Sequence, residues 1–263
     1  MTGPGITVDR PTAATGSAPL ARRAPVAKIV ALALFTTAAL LTRDVAALGF
    51  ALVVTFAAAP LFGITPWGLL RRGWPALLGA ATVVLSLALF AADRSGTVLV
   101  DFGPVVITST VLANALSLAL RLLAIALPSI LVFSTTDPTD LADSLVQHAR
   151  VSPRFAIGAL AAFRLVGLLG DEWRMIAMAR RARGIDAGRN PVRWLRLFAS
   201  TTFGLLVGAI RRGTRLAVAM DARGFDSGLA RTVARPMPWR PADWLLVAAG
   251  ALLAVLIQLI AHR

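Results

Sequence analysis

Five apolar runs decide what this chain can fold into. They extend from Ala27 to Thr42, Val45 to Ile64, Pro75 to Ala92, Val105 to Phe133 and Asp243 to Ala261. A helix needs about 20 mainly apolar residues to cross a bilayer core, where the backbone must satisfy its own hydrogen bonds. Runs of this length therefore read as membrane helices. The first is short and spans only if flanking polar residues snorkel to the interface. Arg43-Asp44 separates it from the second, either as a tight hairpin or as a break within one long tilted helix. A chain that is 57% hydrophobic, with a mean hydropathy of +0.74, is too apolar for a soluble domain. The expected fold is an all-α membrane protein with about five transmembrane helices and a cytoplasmic set of amphipathic helices.

The pattern changes after the fourth run, and the chain falls into four parts. Residues 1–24, rich in Gly, Pro, Thr and Ala, cannot bury a core and read as a disordered cytoplasmic tail. A cleaved signal peptide does not fit, because the apolar stretch starts late and further spans follow at once. Residues 25–133 hold four spans, with Asp93 to Pro104 as a polar turn and Arg71-Arg72 in a loop. Residues 134–240 carry 17 of the 27 basic residues against eight acids, a net of +9. Residues 241–263 form the last span, with Trp239 and Trp244 as interfacial anchors. Within 134–240 the apolar residues come in stripes. Leu165, Leu169, Trp173 and Ile176 share one helix face. Leu206, Ile210, Gly213, Ala217 and Met220 share another, with Arg211, Arg212 and Arg215 to one side. Such helices lie on the cytoplasmic surface of a lipid bilayer. Arg22, Arg23 and Lys28 place the N-terminus in the cytoplasm, and Arg71 and Arg72 place the next loop there. Five spans then leave the C-terminus outside.

The absences narrow the chemistry. With no Cys there is no disulfide or thiolate, and His148 and His262 are too few for a histidine metal site. The net charge of +14 comes almost wholly from arginine. In a soluble protein it would suggest nucleic acid; in a membrane protein it marks the cytoplasmic face and anionic lipid headgroups. No Gly-x-x-x-x-Gly-Lys loop is present, so any ATP binds another subunit. Gly-x-Ser-x-Gly, His-Glu-x-x-His and paired intramembrane aspartates are missing too, so no catalytic residue, metal or cofactor is assigned. Arg121, inside the fourth run, reads as a charge that snorkels near a helix end, at the cytoplasmic exit.

One phrase occurs twice. Ala182-Arg183-Gly184-Ile185-Asp186-Ala187-Gly188 recurs forty positions later as Ala222-Arg223-Gly224-Phe225-Asp226-Ser227-Gly228. Each copy closes a helical stretch, Met175 to Ala182 and Leu205 to Ala222. Glycine just past a helix end takes the left-handed conformation that a side chain resists. Arginine beside the last turn faces the negative end of the helix dipole, which contributes roughly 0.3–1 kcal/mol. Capping accounts for either copy alone. The matched hydrophobic-Asp-small-Gly exit goes further, and reads as a paired plug for something outside this chain. Asp137-Pro138-Thr139-Asp140-Leu141 reads as a capped helix start, and Asp171-Glu172 as carboxylates for a surface or interhelical salt bridge.

The run Phe133 to Leu141, the pair Asp171-Glu172 and the two Ala-Arg-Gly phrases resemble the transmembrane T component of energy-coupling factor (ECF) transporters. Leu206 to Arg212 and Met220 to Gly224 look most like the actinobacterial branch associated with thiamine or its hydroxymethylpyrimidine precursor. Asp221 stands where that pattern has Glu. The resemblance implies a scaffold for vitamin or micronutrient import at the cell membrane, not itself an enzyme. It joins two cytosolic ABC-type ATPase subunits, or one fused ATPase, to a small substrate-binding membrane S component. It also assigns ATPase docking to Ala182, Arg183, Gly184, Ala222, Arg223 and Gly224, with Asp186, Asp226, Asp137, Asp171 and Glu172 in support. A stand-alone carrier or channel and an intramembrane enzyme are the alternatives.

Overall fold

The computed structural model describes residues 18–21, 23–90, 97–102, 105–188, 190–225, 233 and 235–262. Contacts divide the chain into two compact units. One holds the chain up to Ser144 and again from Met237, and the other is Leu145–Pro236.

The first unit contains α1 (Pro25–Leu41), α2 (Val45–Ala58), a 3-10 turn (Ala59–Phe62), α3 (Pro66–Arg72) and α4 (Trp74–Phe90). It continues with β1 (Val98–Phe102), β2 (Val105–Thr108), α5 (Ser109–Ser134), most of α6 (Pro138–His148) and α9 (Pro241–Ala261). Local chemistry sets the starts. Proline occupies the first turn of α1, α3 and α9, where its missing N–H costs nothing. Asp44 caps α2 by accepting from Ala47 N at 2.9 Å, and Thr65 caps α3 by accepting from Gly68 N at 3.1 Å. Thr42 is extended, so Arg43-Asp44 is a corner between two helices and not part of one long helix.

Three expectations are corrected here. Arg71 and Arg72 end the short helix α3 instead of lying in a loop. At Gly73 the chain bends by 65° into α4, and a Cβ there would meet Leu127 Cδ2 at 2.5 Å. The fourth run does not begin as a span at Val105. Val98–Phe102 and Val105–Thr108 pair antiparallel as a hairpin, and the helix starts only at Ser109, capped by Thr108. The β-branched residues on both sides of Gly103 carry that preference. Arg121 does not lie near a helix end but midway along α5. Its Nη2 donates to Thr42 O at 2.6 Å, while Ser117 Oγ donates to Arg43 O at 2.6 Å, so α5 satisfies the carbonyls of the α1–α2 corner.

α1 and α9 run parallel. Ala24 N meets Asp243 Oδ1 at 3.1 Å, and Gln258 Nε2 donates to Ala38 O at 3.0 Å. Between them, a Cβ on Gly250 would lie 2.9 Å from Ala31. Lipid tails are as apolar as leucine, so close approach of small residues drives such contacts. Phe35, Ala38, Ala39, Ala47, Leu48, Ala51, Ala124 and Ile257 form one core, and Phe62, Ile64, Leu69, Leu127 and Leu131 lead a second. The expected 1–24 tail falls mostly outside the described residues. Its end is held: Ala18 is buried and Leu20 N donates to Leu61 O at 3.2 Å.

The second unit is built on α7 (Pro153–Ala182) and α8 (Pro191–Ala222). By length and composition, Val45–Phe62, Ser109–Ser134, Pro153–Ala182 and Pro241–Ala261 can each cross a membrane. The bent pair α3–α4 adds a fifth candidate, and α1 is a shorter apolar helix. These apolar helices make the chain a multi-pass membrane protein. α7 meets the length test although its second half carries Asp171, Glu172, Arg174, Arg180 and Arg181.

Candidate functional site

Both copies of the repeated phrase close their helices in the same way. α7 ends at Ala182 with Arg183 as its cap residue at φ −91°, and α8 ends at Ala222 with Arg223 at φ −87°. Gly184 and Gly224 both have φ +71°, the left-handed conformation that glycine reaches without a Cβ clash. Ile185 N donates to Arg180 O and Gly184 N to Arg181 O, each at 2.9 Å. In the second copy Phe225 N donates to Met220 O at 3.1 Å and Gly224 N to Asp221 O at 2.9 Å. These paired bonds are the Schellman closure, which satisfies the last carbonyls and turns the chain away sharply. Arg183 and Arg223 are exposed, and neither side chain has a hydrogen-bond or ion-pair partner among the described residues.

The contacts between the helices set the spacing of these ends. Late α7 meets early α8: Arg180 Nη1 donates to Leu197 O at 3.0 Å, Ser200 Oγ at 3.0 Å and Thr201 Oγ1 at 2.8 Å. Trp173 packs on Phe198 with ring centroids 5.2 Å apart, and Phe198 stacks on Trp194 at 5.3 Å. Farther along, Arg212 Nη2 reaches Glu172 Oε2 at 2.6 Å. Early α7 then faces late α8 across a groove of about 440 Å³, lined by Gly158, Ala161, Leu165, Gly213, Ala217 and Phe225 among others. The helices therefore run back along each other. Arg183 stands at the turn between them, and Arg223 at the far end of α8. With 32 residues, α8 is a rod about 48 Å long at 1.5 Å per residue, and most of that length lies between the two closures.

The supporting residues take diverse places. Asp186 turns back on its own loop, accepting from Ala187 N at 2.7 Å. Glu172 forms the interhelical bridge, whereas Asp171 pairs with Arg174 at 3.2 Å along the same exposed helix face. Asp137, in the first unit, caps α6 by accepting from Thr139 N at 2.7 Å. Asp226 lies outside the described residues, with Ser227 and Gly228. The stripe Leu165, Leu169, Trp173 and Ile176 is half-buried as a face of α7. The α8 stripe holds in its second half, where Gly213, Ala217 and Met220 line the groove against α7, and fails in its first. Thr201 and Leu205 are buried, while Leu206 and Ile210 stand 56% and 60% exposed. The sequence reading missed two residues that shape the site. Arg180 clamps the helices, hidden among four arginines in one short stretch, and Asn190 starts α8 by accepting from Val192 N and Arg193 N. Asn before Pro191 was the available signal for the latter.

Comparison with known proteins shows the family. The family described as CbiQ, cobalt transport protein, matches residues 16–234. The energy-coupling factor transporter transmembrane protein EcfT of Listeria innocua is 31% identical over 254 residues, covering 92% of this chain and 94% of that protein. The EcfT of Exiguobacterium sibiricum is 30% identical over 253 residues, with 92% and 95% covered. The EcfT of Lacticaseibacillus paracasei is 36% identical over 183 residues, 66% of this chain and 67% of that one. These likenesses reach the family and not the thiamine branch within it.

Proposed function

The chain belongs to the CbiQ family and is the transmembrane T component of an energy-coupling factor transporter, and from that premise we propose that it is the scaffold through which two ATPases drive a separate substrate-binding subunit. One observation carries this reading: two identically closed, arginine-tipped helix ends stand at opposite ends of one rod. A single binding partner would need one tip. Two bodies of the same kind, one at each end, need the same tip twice. Guanidinium forks pair bidentately with carboxylates, and a partly desolvated fork is far stronger than an exposed surface pair. Arg183 and Arg223 are the forks; Gly184 and Gly224 set their aim. Either two ABC-type ATPase subunits or one fused ATPase fits this requirement.

In the same reading residues 134–240 form the cytoplasmic domain, with α7 and α8 lying along the bilayer face of the cell membrane. The N-terminus is cytoplasmic. The charge of residues 134–240 favours anionic headgroups, and the exposed Val192, Leu195, Phe203, Leu206 and Ile210 of α8 form an apolar surface that water does not suit. We assign that surface to the small membrane S component, which brings the vitamin or micronutrient cargo. Tilting of the rod by ATPase closure would then reach that subunit as a rigid-body movement.

Affinity purification from native membranes tests the reading. The wild-type chain should co-elute with ATPase and a small membrane protein. Replacing both arginines, Arg183→Glu with Arg223→Glu, should remove the ATPase while membrane insertion persists. A carrier, channel or intramembrane enzyme would purify without an ATPase, and ATPase retained by the double variant would reject the docking roles.

A further inference from the structure

The chain crosses from the first unit to the second at Ser144 and returns at Met237, so two covalent junctions link them. Both junctions are fastened to the same few residues at the start of α1. Ser144, fully buried in α6, accepts from Val26 N at 3.4 Å. Asp243, 2% exposed at the start of α9, accepts from Ala24 N at 3.1 Å and from Arg240 N at 2.9 Å. Lys28 completes the knot. It is the chain's only lysine and is 2% exposed. Its Nζ donates to Ala21 O at 2.8 Å and to Thr135 O, the cap residue of α5, at 3.2 Å. Asp140 and Asp243 supply the opposite charge that acts on it.

Burying an ammonium group is costly unless each donor is used, and here the group joins the segment before α1 to the α5–α6 corner. Arginine occupies almost every other basic position. Its broad fork does not replace a compact, tetrahedral head with three donors. None of these residues belongs to the arginine tips.

We propose that Lys28, with Asp243 and Ser144, is the positioning clamp that makes both junctions move with α1, so that movement of the second unit is transmitted to the membrane helices and not lost in slack connections. This rests on the scaffold reading above. Because the chain has no cysteine, spin labels can be placed at Leu41→Cys, at the far end of α1, and at Val218→Cys on α8, both exposed positions. The complex with its co-purified partners is reconstituted in liposomes. The label distance is then measured by pulsed electron resonance without nucleotide and after trapping with ATP and vanadate, alongside ATP hydrolysis.

The labelled but otherwise unaltered complex should show a nucleotide-driven shift in distance. Lys28→Met should keep hydrolysis within about twofold while the shift falls to a quarter or less and the distribution broadens. Ser144→Ala, a mild change that removes one tie, should halve the shift at full hydrolysis. An unchanged shift in both variants overturns the clamp. So does a loss of hydrolysis and shift in equal proportion, which would make these residues supports of the fold only. A complex that contains no ATPase at all sinks the scaffold reading first, and that result is distinguishable from either.

Discussion

At the scale of single residues, Gly184 and Gly224 are the positions where backbone conformation bears on the proposed docking. Both hold φ +71°, and a Cβ at Gly184 would meet nothing within 4 Å. Space is available; the conformation is what excludes other residues. Left-handed backbone costs a non-glycine residue roughly 1–2 kcal/mol, and a β-branched one the most. Gly184→Val should therefore leave the protein inserted but re-aim Arg183, weakening ATPase association about tenfold, which corresponds to about 1.4 kcal/mol. Titration of purified ATPase against the variant checks this, with Gly224→Val expected to act alike at the other end. Arg180 differs from the tip arginines. It is half-buried and gives one nitrogen to three acceptors across the helix pair. Arg180→Ala should cost about 2 kcal/mol, in the range for hydrogen bonds made by a charged group. Loosening should also change the emission of Trp173 and Trp194, which both pack on Phe198.

At the scale of elements, packing by small residues decides which helices can touch. Gly250 brings α9 so close to α1 that its Cβ would lie 2.9 Å from Ala31 Cα and Cβ and 3.0 Å from its carbonyl oxygen. Gly250→Ala should destabilise the detergent-solubilised protein by about 1–3 kcal/mol through overpacking. Gly213→Ala, on a face of α8 with nothing within 4 Å, should raise stability by up to about 1 kcal/mol through helix propensity. Thermal unfolding of the two variants side by side separates close approach from a general effect of glycine loss. The same contrast explains what the sequence made legible. The ends of α7 and α8 at Ala182 and Ala222 were readable because capping is local, written in the residue that caps and the glycine after it. The α5 start was misplaced because Val105–Thr108 is apolar enough for a span, and hydropathy does not separate strand from helix over so short a run. The parallel pairing of α1 with α9 was invisible, since Ala31 and Gly250 are ordinary small residues until the fold juxtaposes them. Likewise the first half of the α8 face was misjudged, although Gly213, Ala217 and Met220 do line the groove. Leu206 and Ile210 satisfy helical periodicity, but a helix with apolar residues on two sides does not say which side meets its neighbour.

For the whole molecule, the decisive quantity is the spacing of the two tips. Arg180 holds the end of α7 at Leu197 to Thr201, so the stretch of α8 from Thr201 to Arg223, roughly 33 Å at 1.5 Å per residue, lies between the two closures and spaces the tips as separate contacts. On the scaffold reading proposed above, each tip then acts independently, and the matched backbone closures suit two equivalent grooves. Independence has a consequence that a shared, cooperative site would not have. Reversing one charge should remove one ATPase body or lobe contact and leave the other in place. With separate ATPase subunits, native mass spectrometry of the Arg183→Glu complex should show one ATPase per T component where the wild type shows two. Arg223→Glu should give the same stoichiometry, and the double variant none. Because the tips are exposed forks, the remaining contact should weaken further as ionic strength rises past about 0.15 M, where the Debye length is near 8 Å. If one reversal instead released both ATPases at low salt, the two ends would be coupled through the motor itself. The rod would then be a strut between halves of one closing machine, and the sequential loss predicted for independent grips would be replaced by a single all-or-none step.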